Sequence, residues 1–142
     1  MVSRVLVGID FSPASRQALE QASAWAKKLQ VPLVAMHVVD HPDQPLFRLY
    51  APMGDPTWFH SAEPLASEHM NGWLAAYPGT SSIIRTGSPA KRLVEESNPE
   101  TLLVVGNVGH GALDSLLFGS TAEKVVRHAA GDVLVIKTKA TP

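Results

Sequence analysis

The chain has 142 residues, 45% of them hydrophobic, which fits a single domain over residues 1–142 with enough apolar material for its own core. Lys plus Arg number 12 and Asp plus Glu 13, a formal net charge of -1 with no basic face, so a nucleic-acid partner is not expected. The absence of cysteine removes disulfides, thiolate catalysis and thiolate-bound zinc, and no apolar run approaches the roughly 18 residues of a membrane span.

Arg4 to Asp10 (RVLVGID) is a short, mostly apolar run of the kind that forms a strand covered on both faces, and it is read as β1 and not as a signal peptide. A cytoplasmic location follows as the expectation. Ser12-Pro13 then offers a helix cap and a first-turn proline, and Ala18, Ala22, Trp25 and Leu29 recur at helical spacing, predicting α1 from about Pro13 to Gln30. Pro32 to Val39 is the second strand, β2. From Asp40 to about His60 the prolines at 42, 45, 52 and 56 predict a long loop. Helix α2 is expected from Ser61 or Pro64 to Ala76, on the spacing of Ala66, Met70, Trp73 and Tyr77.

Ser82 to Thr86 reads as β3, and Ser88-Pro89 repeats the cap-plus-proline signal ahead of α3. Thr101 to Gly106 (TLLVVG) is β4, the most apolar of the strands. A glycine-rich loop runs on to Gly119, Ser120 to Ala130 forms α4 and Val133 to Ile136 forms β5. Strands alternating with helices imply an α/β fold: a Rossmann-like, doubly wound parallel sheet of five strands in the order 3-2-1-4-5, with helices on both faces. Ligands bind such sheets beyond the carboxyl ends of the strands where the winding reverses, here between β1 and β4, which places Asp10 near Gly106.

The glycine loop carries the chemistry. Gly106, two residues, Gly109, nine residues, then Gly119-Ser120-Thr121 supplies glycines able to adopt backbone angles closed to other residues, followed by a helix N-terminus whose unpaired amides attract an anion. Phosphate oxygens are expected on main-chain donors of Gly109 and of Gly119 to Thr121. Two readings of Ser120 stay open, because Ser120-Thr-Ala-Glu123 also fits a capping box. Asp10 has the alternative role of a turn residue ahead of Ser12, and Val38 that of simple core packing.

This spacing, the opening VGIDFSPASRQAL, the HVV after β2, the GSPA before α3 and the ending VVRHAAGDVLVIK together resemble the nucleotide-binding branch of the universal stress protein family. The resemblance implies that Asp10 lies near the ribose or a bound metal and that the backbone of Val38 meets the adenine edge. It further implies that Gly106, Gly109, Gly119, Ser120 and Thr121 form the ribose and phosphate loop for ATP, or for AMP or ADP, with magnesium carried by the phosphates. Similar proteins pair the last strand across a two-fold axis, so a homodimer through the β5 edge is expected. Many relatives place a hydroxyl and a cation between the first two glycines; this chain has Asn107 and Val108, which reduces the attraction for a triphosphate.

No serine sits in a nucleophile elbow and no acid–base pair stands out by spacing, so the function read from the sequence is a nucleotide-binding regulatory protein with little or no turnover, acting on an unidentified protein partner. The alternatives are slow ATP hydrolysis at the same site and a dimeric interaction module that has lost its nucleotide. His37, His41, His60 and His69, with Asp40 and Asp43, lack metal-ligand spacing, and no metal site is assigned to them. Trp25 and Trp73 lie on apolar helical faces, as core or interface residues, while Trp58 either covers the nucleotide crevice or closes a surface gap.

Overall fold

The computed structural model describes residues 1–40, 57–108 and 119–138. Five strands, β1 (Arg4–Gly8), β2 (Leu33–Asp40), β3 (Ser81–Gly87), β4 (Thr101–Gly106) and β5 (Val133–Ile136), form one sheet in the order β3-β2-β1-β4-β5. All four pairings are parallel, with Val7 opposite Ala35 on one side and Val104 on the other. The helices are α1 (Pro13–Leu29), α2 (Thr57–Leu74), α3 (Pro89–Glu96) and α4 (Ser120–His128). The expected α/β topology and strand order are those observed.

Val5, Leu6 and Val7 are all fully buried, because helices cover β1 from both sides. Alternation along the strand sends Val5, Val7 and Ile9 into a cluster with Ala18, Leu19, Ala22 and Ala26 of α1 and Met70 and Trp73 of α2. Leu6 faces the other way, among Leu93 of α3 and Ala122 and Val125 of α4. At the amino end of the sheet the Arg4 guanidinium donates to Thr101 Oγ1 at 3.0 Å and to Glu96 Oε1 at 3.3 Å, tying β1 to the turn before β4.

Several boundaries differ from expectation. Helix α2 begins at Thr57, ahead of the start expected at Ser61 or Pro64, runs through Pro64 and ends at Leu74, two residues before the expected Ala76. A proline ring fixes φ near the helical value, so its presence costs the hydrogen bond to the carbonyl four residues earlier without ending the helix. Strand β1 stops at Gly8, two residues early, because Asp10 turns into the α1 cap. Helix α4 stops at His128, where Ala129 is already extended with ψ 142°. Of the loop expected from Asp40 to about His60, Asp40 belongs to β2 and residues 57–60 to α2, while residues 41–56 lie outside the described residues.

Candidate functional site

Asp10 leaves the carboxyl end of β1 and its Oδ1 accepts the Ser12 amide at 2.9 Å. That turn delivers Ser12 to the N-cap of α1, where Oγ accepts the Ser15 amide at 3.2 Å and the Ser15 hydroxyl returns a bond to the Ser12 carbonyl at 3.0 Å. The turn role open to Asp10 is therefore occupied, and it aims the carboxylate at the same end of the sheet as Gly106. Phe11, between Asp10 and Ser12, has a left-handed backbone with φ 63°, unusual for a bulky residue and a local strain that its surroundings hold in place.

Gly106 ends β4 opposite Ile136 of β5. Its backbone is not left-handed: among the described glycines only Gly79 and Gly87 have positive φ. The position needs glycine for a steric reason, since a Cβ there would lie 2.9 Å from Ala14 Cβ and 3.1 Å from the Ala14 carbonyl carbon and oxygen. The freedom of backbone angle expected for Gly106 is thus replaced by close approach of the first turn of α1. Gly109 lies outside the described residues, as does His110.

Asn107 proves to be a brace. Its amide donates to the Ile136 carbonyl at 2.9 Å, its carbonyl accepts the Gly119 amide at 2.6 Å, and its side-chain oxygen accepts the Thr138 amide at 3.0 Å and the Thr138 hydroxyl at 2.7 Å. One residue thereby fastens the end of β4 to the exit of β5 and to the start of α4. Sequence spacing marks Asn107 only as a departure from a pattern; its partner is 31 residues away.

Gly119, not Ser120, is the N-cap of α4, with φ -73° and ψ 166°, and its carbonyl accepts the Glu123 amide at 3.1 Å. The capping box proposed for Ser120 and Glu123 does not form: Ser120 is already the first helical residue, and Glu123 pairs instead with Arg127 at 3.0 Å. Because the Gly119 amide is taken by Asn107, the donors left at this terminus are the amides of Ser120, Thr121 and Ala122, which meet no acceptor among the described residues. The exposed Ser120 hydroxyl and the half-buried Thr121 hydroxyl stand beside them.

Val38 has its side chain in the core, 7% exposed. Its main chain is more informative. The Met36 carbonyl accepts the Ile9 amide at 2.8 Å, so Met36 turns its peptide groups toward β1, and alternation turns those of Val38 the same way. By that point β1 has left the sheet. The N–H and C=O of Val38 consequently face the gap beyond β1, where no hydrogen bond to them occurs among the described residues.

A ring cluster closes one side of this end of the sheet. Phe11 stacks on His69 at 4.0 Å and 12°, tilts against His37 at 4.5 Å and meets the edge of Trp73 at 5.3 Å, while the Arg16 guanidinium lies 4.1 Å above Trp73. His37 Nδ1 sits 2.7 Å from the Ile9 carbonyl. His37 and His69 are thus committed to Phe11, and no group of three or more His, Asp or Glu able to hold a metal occurs among the described residues. Trp73 is buried in this cluster and Trp25 is 38% exposed; the side chain of Trp58 lies outside the described residues, as do His41 and Asp43. Helical spacing flagged Trp73, but not that Phe11 would reach it.

Among the described residues the rim therefore offers a run of amides and a main-chain donor and acceptor without hydrogen-bond partners, beside two hydroxyls and one carboxylate, a set suited to holding a polar, anionic molecule. No helix among the described residues is long and apolar enough to cross a membrane.

A universal stress protein of Mycobacterium tuberculosis (strain H37Rv) is 33% identical over 139 residues, covering 96% of this chain and 46% of that protein. The chain thus spans about half the length of the Mycobacterium relatives it matches. A Staphylococcus aureus protein assigned to the same family is 29% identical over 147 residues, with 97% of this chain and 86% of its own length covered. Among solved structures, a universal stress protein from Lactobacillus plantarum superposes with a TM-score of 0.75 at 27% identity, covering 94% of this chain and 97% of the other. A universal stress protein in complex with cAMP does so at 0.59 and 26%, covering 94% and 95%. With the sequence profile of the family matching residues 1–137, the chain belongs to the universal stress protein family.

Proposed function

We propose that this chain binds an adenine nucleotide, ATP, ADP or AMP with magnesium carried on the phosphates, beyond the carboxyl ends of β1, β2 and β4, and acts in the cytoplasm as a regulatory protein with little or no turnover. The observation that carries this reading is that, at one end of the sheet, the amides of Ser120 to Ala122 and the peptide groups of Val38 meet no partner among the described residues, with Asp10 at the end of the strand between. A base edge presenting a donor and an acceptor complements Val38, a phosphate complements the α4 terminus, and a ribose hydroxyl or metal complements Asp10. Gly106 and Gly119 shape the wall, and Gly109 belongs to the same loop by sequence. The solved relative that holds cAMP supports the adenine assignment. Exchange of the loaded and empty states would present different surfaces to a protein partner.

Adenine nucleotide at one hundred times its dissociation constant should raise unfolding stability by about 2.7 kcal/mol, read as a thermal shift. Asp10→Asn and Ser120→Ala should each reduce that shift. No shift with millimolar AMP, ADP or ATP, with magnesium present, would remove the reading.

A homodimer is proposed through β5. Its outer edge has no neighbouring strand among the described residues, all four of its residues are half-buried, and its hydrogen-bonding groups invite another strand. On α1, which packs over β1, β4 and β5, Arg16 points to α2, so Trp25, about half a turn around the helix, lies on the flank toward β5. Trp25 and Leu29, 38% and 40% exposed, extend the apolar surface beside the edge. Sedimentation should report a dimer that Val135→Pro dissociates, with the monomer still folded by circular dichroism; a wild-type monomer at high micromolar concentration would refute the pairing.

A further inference from the structure

Among the described residues, Phe11 and Gln30 are the two non-glycine positions with positive φ, at 63° and 57°. Gln30 caps the carboxyl end of α1, where a left-handed residue is a usual way to stop a helix. Phe11 has no such reason: it sits between a strand and a helix start, and its Cβ in this conformation crowds the following carbonyl oxygen. Something outside the turn must hold it there.

The holder is the slot that receives its half-buried ring. His37 of β2 forms one wall at 4.5 Å and is itself fixed by donating from Nδ1 to the Ile9 carbonyl at 2.7 Å. His69 and Trp73, one turn apart on α2, form the other: His69 stacks at 4.0 Å and 12°, and Trp73 meets the ring at 5.3 Å and 83°. Reversing the sign of φ would swing the Cβ, and the ring with it, out of this slot. The same dihedrals decide a second contact. The bond from the Ser12 amide to Asp10 Oδ1 at 2.9 Å closes across Phe11, so the φ and ψ of Phe11 lie inside the ring of atoms that it completes. Seating the side chain and placing the carboxylate are therefore one event. We propose that Phe11 is a positioning residue through which α2 governs the Asp10 carboxylate; the consequence for a ligand rests on the nucleotide reading above, while the positioning does not.

Amide hydrogen exchange on the full chain without ligand tests the positioning at Ser12, with the amides of Val7 in β1 and Ala22 in α1 as references for unfolding. Phe11→Ala and His69→Ala should each lower Ser12 protection at least about ten-fold while the references stay unchanged, and Asp10→Ala marks full release. His69→Phe keeps a ring against Phe11 and should stay within about three-fold of the wild type. Phe11→Gly should protect Ser12 better than Phe11→Ala, because glycine takes a positive φ without strain. Unchanged protection in both alanine variants, or an equal loss in His69→Phe, overturns the proposal. So does Phe11→Gly protecting no better than Phe11→Ala, the order expected if the ring only fills space. Should Phe11→Ala unfold, the two His69 variants decide the matter. Isothermal titration with AMP reads the consequence, about ten-fold weaker binding in the alanine variants and recovery in His69→Phe. Unchanged AMP affinity beside a released Ser12 amide overturns the control of the ligand by α2. A wild type that binds no AMP, ADP or ATP, with the exchange order intact, removes the adenine reading and leaves the positioning standing.

Discussion

Alanine at position 131 is expected to lower unfolding stability by about 3 kcal/mol, measured by urea denaturation. Gly131 links α4 to β5, and a Cβ there would lie 2.7 Å from the carbonyl oxygens of both Asn98 and Thr101 and 3.1 Å from that of Pro99. Backbone oxygens cannot rotate aside as a side chain could. These are held further by the turn they belong to: the Thr101 amide donates to the Asn98 carbonyl at 3.0 Å, Asn98 Oδ1 accepts the Glu100 amide at 2.8 Å, and Arg4 fastens Thr101 from β1. The α4–β5 link must therefore move, and with it the bond from the Leu103 amide to the Asp132 carbonyl at 3.0 Å that starts the β4–β5 ladder. A loss below about 0.5 kcal/mol, the range of a neutral surface change, would show that the turn yields more easily than its hydrogen bonds imply.

The architecture was readable because each level of the sequence agreed with the others. Apolar runs of strand length alternate with helical spacing, and Ser12-Pro13 marks the start of α1 where the structure has it. Local signals misled where a competitor was invisible in one dimension. Ser120 and Glu123 have the spacing of a capping box, yet Gly119 takes the cap because Asn107 holds its amide and Arg127 draws Glu123 away. The glycine at 106 suggests a special backbone angle, whereas its cause is Ala14, more than ninety residues away in the chain. Phe11 gives no hint in sequence that it will stack on His69, because that contact depends on how α2 lies on the sheet. Of the residues named by pattern, Asp10, Val38, Gly106 and Gly119 to Thr121 are described and lie toward the carboxyl ends of the strands, and packing explains why Gly106 must be glycine.

Gly106→Ala is expected to damage stability and nucleotide binding together, by about 2 kcal/mol and at least about ten-fold in affinity. The new Cβ meets Ala14, which is 3% exposed in the first turn of α1 and cannot retreat into solvent. The first turn must lift, carrying the cap bonds among Ser12, Ser15 and Arg16, and the bond between Asp10 and Ser12 transmits that shift to the carboxylate at the rim. Ala14→Gly deletes the partner of the 2.9 Å contact, though the 3.1 Å contacts with the Ala14 backbone persist and glycine in a helix costs about 1 kcal/mol. The double variant should hence lose less than the sum of the two single losses, with a coupling of about 1 kcal/mol. Full additivity in the denaturation cycle would mean that the two residues do not compete for space, and the steric account of the glycine would fall with it. If binding weakens while stability stays at the wild-type value, the glycine serves the ligand directly and not the seating of α1.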